Sequence, residues 1–186
     1  GKLCSATHSA QSEVSCVSVV PAHDEHTIDA GYRVFTGSRD HYVKMYDVPR
    51  EGSGFAQATV EFSPPHYDNV TAVLSHGSHI FTTSKDMNIM KFSLLDFKRD
   101  HLELKAHNAY IQALTMTTVK GAQLLASACK EGTLKLWDVT NTRRMTLVEE
   151  IVQAHSDSIN DLASNSALLF TASGDQTVGF WRESSY

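Results

Sequence analysis

This chain is short of cysteine, has no long apolar run and carries no excess of positive charge. Its three cysteines, Cys4, Cys16 and Cys129, are an odd number and form no C-x-x-C pair. That excludes a disulfide framework and a paired-cysteine metal or redox motif. Nothing beside them would lower a thiol pKa, so reduced, structural thiols in a cytosolic protein are expected. No stretch approaches the roughly 18 apolar residues of a membrane-spanning helix, and the first thirty residues show no basic start leading into an apolar run. The net charge of -5, with 20% charged residues, disfavours bulk binding to nucleic acid or to an anionic membrane, yet it leaves room for local patches. Ten histidines suggest metal, but His23/His26 and His76/His79 are the only close pairs outside a repeat described below, and neither has convincing ligand spacing. No metal or cofactor is expected. The chain opens on Gly1 rather than Met, which leaves open whether it is a piece of a longer protein or a trimmed one.

What is present is a repeat. FTGSRDHYVKMYDV, FTTSKDMNIMKFSL, SACKEGTLKLWDV and FTASGDQTVGFWRE are variants of one phrase, in which an acid (Asp40, Asp86, Glu131, Asp175) precedes an aromatic (Tyr46, Phe92, Trp137, Trp181) by six positions. The acids are 46, 45 and 44 residues apart, a near-constant period that marks one supersecondary unit copied in tandem. Each copy reads as short alternating strands punctuated by Gly, Asn and Asp, for example VSCVSVV, YRVFTG and YVKMY in the first. A further strand precedes each of His8, His66, His107 and His155. The fold class is therefore all-β: blades of four antiparallel strands, the repeat length of a WD40 β-propeller. The repeats run approximately over 9–62, 63–105, 106–152 and 153–186, with 1–8 as an outer strand of the preceding or closing blade. Insertions are expected at 21–31, 48–58, 93–100 and 139–146, where loops absorb length at low entropic cost.

The strand count is offset, because one outer strand precedes the first copy and none follows Trp181. The last blade therefore needs an outer strand from elsewhere. Missing blades of a larger ring, Leu3's own segment, or self-association of two chains would each complete it, and an open arc would leave strand edges and apolar faces bare.

In WD40 blades a His, a Ser/Thr ending the second strand, the turn Asp and the third-strand Trp form a hydrogen-bonded chain. By that resemblance His155, Ser173, Asp175 and Trp181 make a complete set. The others depart from it: His66, Ser84 and Asp86 stand with Phe92, His107 and Trp137 with Cys129 and Glu131, and Ser38 and Asp40 with Tyr46. His8 also lies two residues farther from its strand than His66 does. The recurrence of Ser, His and Asp resembles a nucleophilic triad. Four copies of one active site in a single domain are implausible, however, so no catalytic role is expected.

The residue before each turn acid is Arg39, Lys85, Lys130 and then Gly174. Equivalent blade positions share one face of a propeller, so three cations would form an arc there, joined by His41 and Lys44, and suit an acidic protein partner. The plain alternative is that exposed turns carry Lys and Arg for solubility.

Gly37 to Val48 and Phe62 to Asp68, within YRVFTGSRDHYVKMYDV and FSPPHYDNV, go beyond the general repeat. They resemble the C-terminal WD40 propeller of kinesin-4-family motors. The resemblance implies a seven-bladed ring of which these are the last four blades. It also implies a cytoplasmic, cytoskeleton-associated tail that docks microtubules, tubulin or cargo and helps regulate a motor. No G-x-x-x-x-G-K-[ST] loop is present, so ATP hydrolysis would belong to a motor domain upstream. The competing reading is a WD40 scaffold such as a ubiquitin-ligase substrate receptor.

Overall fold

The computed structural model describes residues 12–21, 31–49 and 57–182. Leu3's segment, Cys4, His8, His23 and His26 lie outside the described residues. Among the described residues fifteen strands form four antiparallel sheets, and within each sheet every strand pairs with the next in the chain. Blade 1 comprises β1 (Val14–Pro21), β2 (Tyr32–Ser38), β3 (Val43–Val48) and β4 (Val60–Glu61). Blade 2 comprises β5 (Val70–His76), β6 (His79–Ser84), β7 (Ile89–Ser93) and β8 (Arg99–Glu103). Blade 3 comprises β9 (Ile111–Val119), β10 (Ala122–Cys129), β11 (Leu134–Asp138) and β12 (Thr146–Ile151). Blade 4 has β13 (Ile159–Ser164), β14 (Leu169–Ser173) and β15 (Val178–Trp181), with no fourth strand among the described residues. The expected outer strand at 1–8 lies outside the described residues, and irregular segments at 94–98 and 139–145 join the third and fourth strands of blades 2 and 3.

The core lies between the blades. Phe35, Met45, Phe62, Val70 and Phe92 fill the seam between blades 1 and 2. Phe81, Ile89, Ile111, Leu125 and Trp137 fill the next, and Leu124, Leu134, Leu136, Leu162 and Leu169, with Trp181 against them, fill the third. Each sheet is apolar on both faces because a blade has neighbours on both sides. The same rule exposes the two ends of the array. Val17 is 62% exposed, although the matching Val73 and Leu162 are buried, and Phe180 is 68% exposed where Met45 and Leu136 are buried.

Lys91 takes that same position in blade 2 and is fully buried. Its ammonium donates to the carbonyls of Val139 (2.9 Å) and Asn141 (2.7 Å) in blade 3 and lies 5.6 Å from the Phe81 ring centroid. Burial lowers its pKa, with Asp100 and Asp138 acting in the opposite sense. The ammonium therefore ties two blades together where the other seams use hydrocarbon. A second tie recurs at each seam: the backbone N–H of His66, His107 and His155 donates to the carbonyl of His41, Met87 and Gly132 in the preceding blade. Those three turn residues all have positive φ (77°, 67° and 74°), the conformation a tight turn needs and glycine adopts most cheaply.

Candidate partner-binding face

The hydrogen-bonded chain of blade 4 differs from the expectation in one member. His155 Nε2 meets the hydroxyl of Thr171 (2.6 Å), which also accepts from Trp181 Nε1 (3.0 Å), while His155 Nδ1 meets Asp175 (2.9 Å). The relay is Thr171, not Ser173. Ser173 closes the turn instead, accepting the Asp175 N–H and donating to the Asp157 carbonyl. Thr171 is the right residue because it faces Gly179 across the ladder. A Cβ on Gly179 would press on Thr171, Trp181 Nε1 and His155 Nε2 alike. Hydrogen bonds from Thr177 and His155 outweigh burial and hold Asp175 well below the usual carboxylate range.

The same correction applies twice more. In blade 2 His66 bonds to Thr82 (2.9 Å) and Asp86 (2.9 Å), and Ser84 is a turn residue bonded to the Asp68 carbonyl and the Asp86 N–H. Burial alone would raise the pKa of Asp86, but His66 and the N–H groups of Tyr67 and Asn88 bring it below normal. In blade 3 Cys129 replaces only the turn serine. Ser127 carries the relay, accepting from Trp137 (2.8 Å) and meeting His107 Nε2 (2.7 Å). What blade 3 lacks is the acid: Glu131 lies in an exposed position, and His107 Nδ1 is buried without a partner. Burial, then the charge of Lys135, pushes the pKa of His107 down to about 3. In blade 1 Ser38 donates to Asp40 within the turn. In the Ser–His–Asp recurrence the histidines thus bond Thr82, Ser127 and Thr171, while Ser38, Ser84 and Ser173 bond groups of the turn and of the loop before the inner strand.

The turns that carry these acids also build a face. The N–H groups of Arg39, Lys85, Lys130 and Gly174 each donate to the carbonyl just before an inner strand: Glu13, Asn69, Tyr110 and Ser158, at 2.8–3.0 Å. One repeated bond thus sets the four positions equivalently. Each inner strand then begins with a bulge, whose extra residue is Ser15, Thr71, Gln112 or Asn160. Bulges re-aim side chains, and all four of these polar residues line one open cavity of about 430 Å³ together with Arg39 and Lys85.

The cations of the arc are not alike. Arg39 is held by Glu13 at 2.8 Å, which raises its pKa further. Lys85 and Lys130 meet no carboxylate among the described residues; their ammonium groups lie 6.0 and 5.8 Å from the centroid of a single ring, that of Tyr110. Lys44 lies back on β3, paired with Glu61 of β4 at 3.4 Å. The equivalent Lys135 pairs likewise with Glu150. His41 supplies its backbone to the turn. Tyr110, 43% exposed, and Tyr67, 78% exposed beside Asp86, are aromatic members of this face that sequence reasoning missed. The available signal was an aromatic in the short loop before an inner strand.

The sequence matches the family model "WD domain, G-beta repeat" over residues 2–47, 99–138 and 146–182. The chain belongs to the WD40 family. Propellers of this family are generally non-catalytic. Among characterised proteins, this WD40 segment is 54% identical over 185 residues to kinesin-like protein klp-12 of Caenorhabditis elegans, 35% identical over 173 residues to human KIF21B and 36% identical over 151 residues to human KIF21A. It spans 100%, 90% and 80% of itself in these matches but only 11%, 10% and 8% of the relatives. The relatives are thus kinesin-like proteins about ten times longer than the match. In fold alone, the computationally designed Ika4 protein superposes with a TM-score of 0.73 at 18% identity, covering 99% of both chains. The computationally designed Ika8 protein gives 0.70 at 19% identity, covering 96% of this WD40 chain and 48% of its own. Among the described residues no helix is long and apolar enough to cross a membrane.

Proposed function

We propose that this WD40 segment is a protein-interaction tail of a kinesin-like motor of the kinesin-4 type, and that it contacts microtubules, tubulin or cargo through the face carrying Arg39, Lys85 and Lys130. One observation carries the reading: the repeated backbone bond that sets these three cations at equivalent places on one face. The similarity to kinesin-like proteins supports it, and a tubulin surface rich in carboxylates is the kind of partner an arc of cations attracts. ATP hydrolysis belongs to a motor domain elsewhere in such a protein, and the setting is cytoplasmic and cytoskeletal. The ring is completed to seven blades by further blades packed on the exposed faces around Val17 and Phe180 and along the edge of β15 that has no partner among the described residues. Their support is the contrast in exposure between these residues and their buried equivalents.

Co-sedimentation with microtubules tests the reading. Binding is expected at low salt, weakens as salt rises, and falls in the Arg39→Glu/Lys85→Glu variant. No binding at low salt by a ring-complete protein overturns it.

A further inference from the structure

We infer that the stretch of this face between blades 2 and 3 is a seat for an extended acidic peptide, with Tyr110 at its centre and the Lys85 and Lys130 ammonium groups beside it. The inference rests on the reading above only in taking this face as the one a partner meets.

Three observations converge. First, the two ammonium groups, at 6.0 and 5.8 Å from one ring centroid, lie within about 12 Å of each other. Alternate side chains of an extended peptide are spaced about 7 Å apart. Two acidic residues separated by one residue, each with a flexible side chain, are therefore long enough in reach to meet both lysines. Second, Tyr110 offers a half-exposed ring, and its backbone is fixed by the bond from the Lys130 N–H. A rigid aromatic anchor binds with little loss of side-chain freedom. Third, Thr71, Gln112 and Asn160, bulged out of three inner strands, line the adjoining cavity. They supply donors and acceptors for a peptide backbone laid toward the hub.

The charges around the seat give it a direction. Arg39 already holds a carboxylate, that of Glu13, and shows in miniature how this arc receives an acid. Toward blade 4 the arc ends at Gly174, where the carboxylate of Asp157 stands 3.0 Å from where a Cβ would be. Glu131 beside Lys130 and Asp68 in the loop before β5 add negative charge within blades 2 and 3. An acidic segment is therefore received at the Lys85 and Lys130 ammonium groups themselves and opposed over blade 4.

Fluorescence anisotropy with labelled hexaglutamate and hexaglutamine on the 186-residue chain tests this. Hexaglutamate is expected to bind and to weaken with salt, while hexaglutamine does not bind. Tyr110→Phe should bind like the parent, whereas Tyr110→Ala and the Lys85→Met/Lys130→Met variant each lose at least about tenfold in affinity. Equal affinity for the two peptides, no binding of hexaglutamate, or full binding by the lysine variant overturns the inference. The lysine variant carries the test if Tyr110→Ala fails to fold. Peptide binding without microtubule binding sinks the motor-tail reading alone. Microtubule binding that ignores both Tyr110→Ala and the lysine variant sinks the peptide seat alone.

Discussion

Replacing Glu131 by Asp should stabilise the protein, because blade 3 keeps a histidine and lacks its acid. In blades 2 and 4 an aspartate meets the imidazole Nδ1 at 2.9 Å, and its oxygens also accept backbone N–H groups at the start of the next loop and in the turn. In blade 3 the corresponding Nδ1 of His107 is buried and unpartnered. A buried polar group without a partner costs about 1–3 kcal/mol, and a hydrogen bond to a charged group contributes about 1.5–3 kcal/mol. Desolvating the new carboxylate offsets part of this, so the expected gain is about 2 kcal/mol, or roughly 4–8 °C in melting temperature for a chain of this size. The pH dependence gives a second reading. His107 has a folded pKa of about 3 against 6.5 for the free side chain. The unfolded chain therefore binds the proton that the folded one refuses, and stability falls as pH drops from 6.5 toward 3. Between pH 7 and pH 5 that loss is about 2 kcal/mol. With an aspartate beside it, His107 can hold the proton in the folded state, and the loss in this window should shrink. Urea unfolding of both proteins at pH 7 and pH 5 measures gain and slope together. A Glu131→Asp protein no more stable at pH 7, with an unchanged slope, would refute the account of blade 3.

Lys91→Met removes the ammonium while keeping the bulk, and it leaves the Val139 and Asn141 carbonyls without that donor; about 1–3 kcal/mol should be lost in urea unfolding, and an unchanged midpoint would show that the tie contributes nothing net. Gly179→Ala should destabilise by a similar amount, about 1–3 kcal/mol in urea unfolding, because the new methyl crowds the junction of Thr171, Trp181 and His155; Gly77→Ala, with nothing near it but at positive φ, measures by contrast the cost of backbone strain without crowding. Asp86 has a folded pKa below its free value of 3.8, so the stability it contributes is present above that pH and is lost as pH falls further; Asp86→Asn should blunt acid unfolding in that lower window, as followed by an acid titration of the folded signal.

The period of the turn acids sufficed to read the blades, because each blade needs the same tight turn at the same strand end. It also led to the expectation of a fourth strand before His66, His107 and His155, which β4, β8 and β12 fulfil. The relay hydroxyl was misplaced by two residues. Ser38, Ser84 and Ser173 attract notice beside the turn, yet the position two earlier holds a hydroxyl in all four copies: Thr36, Thr82, Ser127 and Thr171. That regularity is legible in the sequence. The role of Lys91 was not legible, because its carbonyl partners come from an irregular loop some fifty residues later. The same holds for Tyr110: Lys85 and Lys130 belong to different repeats, and only the packing of blade on blade brings both to one ring. Lys44 shows the converse, a cation close in sequence to the arc but drawn away by Glu61 on the neighbouring strand.

Lys91 also gives the row of blades a clock. Amine-modifying reagents meet Lys130 in solvent and Lys85 at the surface, but Lys91 has no accessible surface and spends its protons on two carbonyls. Its reaction must wait until blade 2 parts from blade 3, so the rate of its labelling reports how often that one seam opens. Blades that separate locally before the protein unfolds as a whole would label Lys91 well before the urea midpoint. Blades that part only all at once would label it at the global unfolding rate, and one amine would tell the two apart.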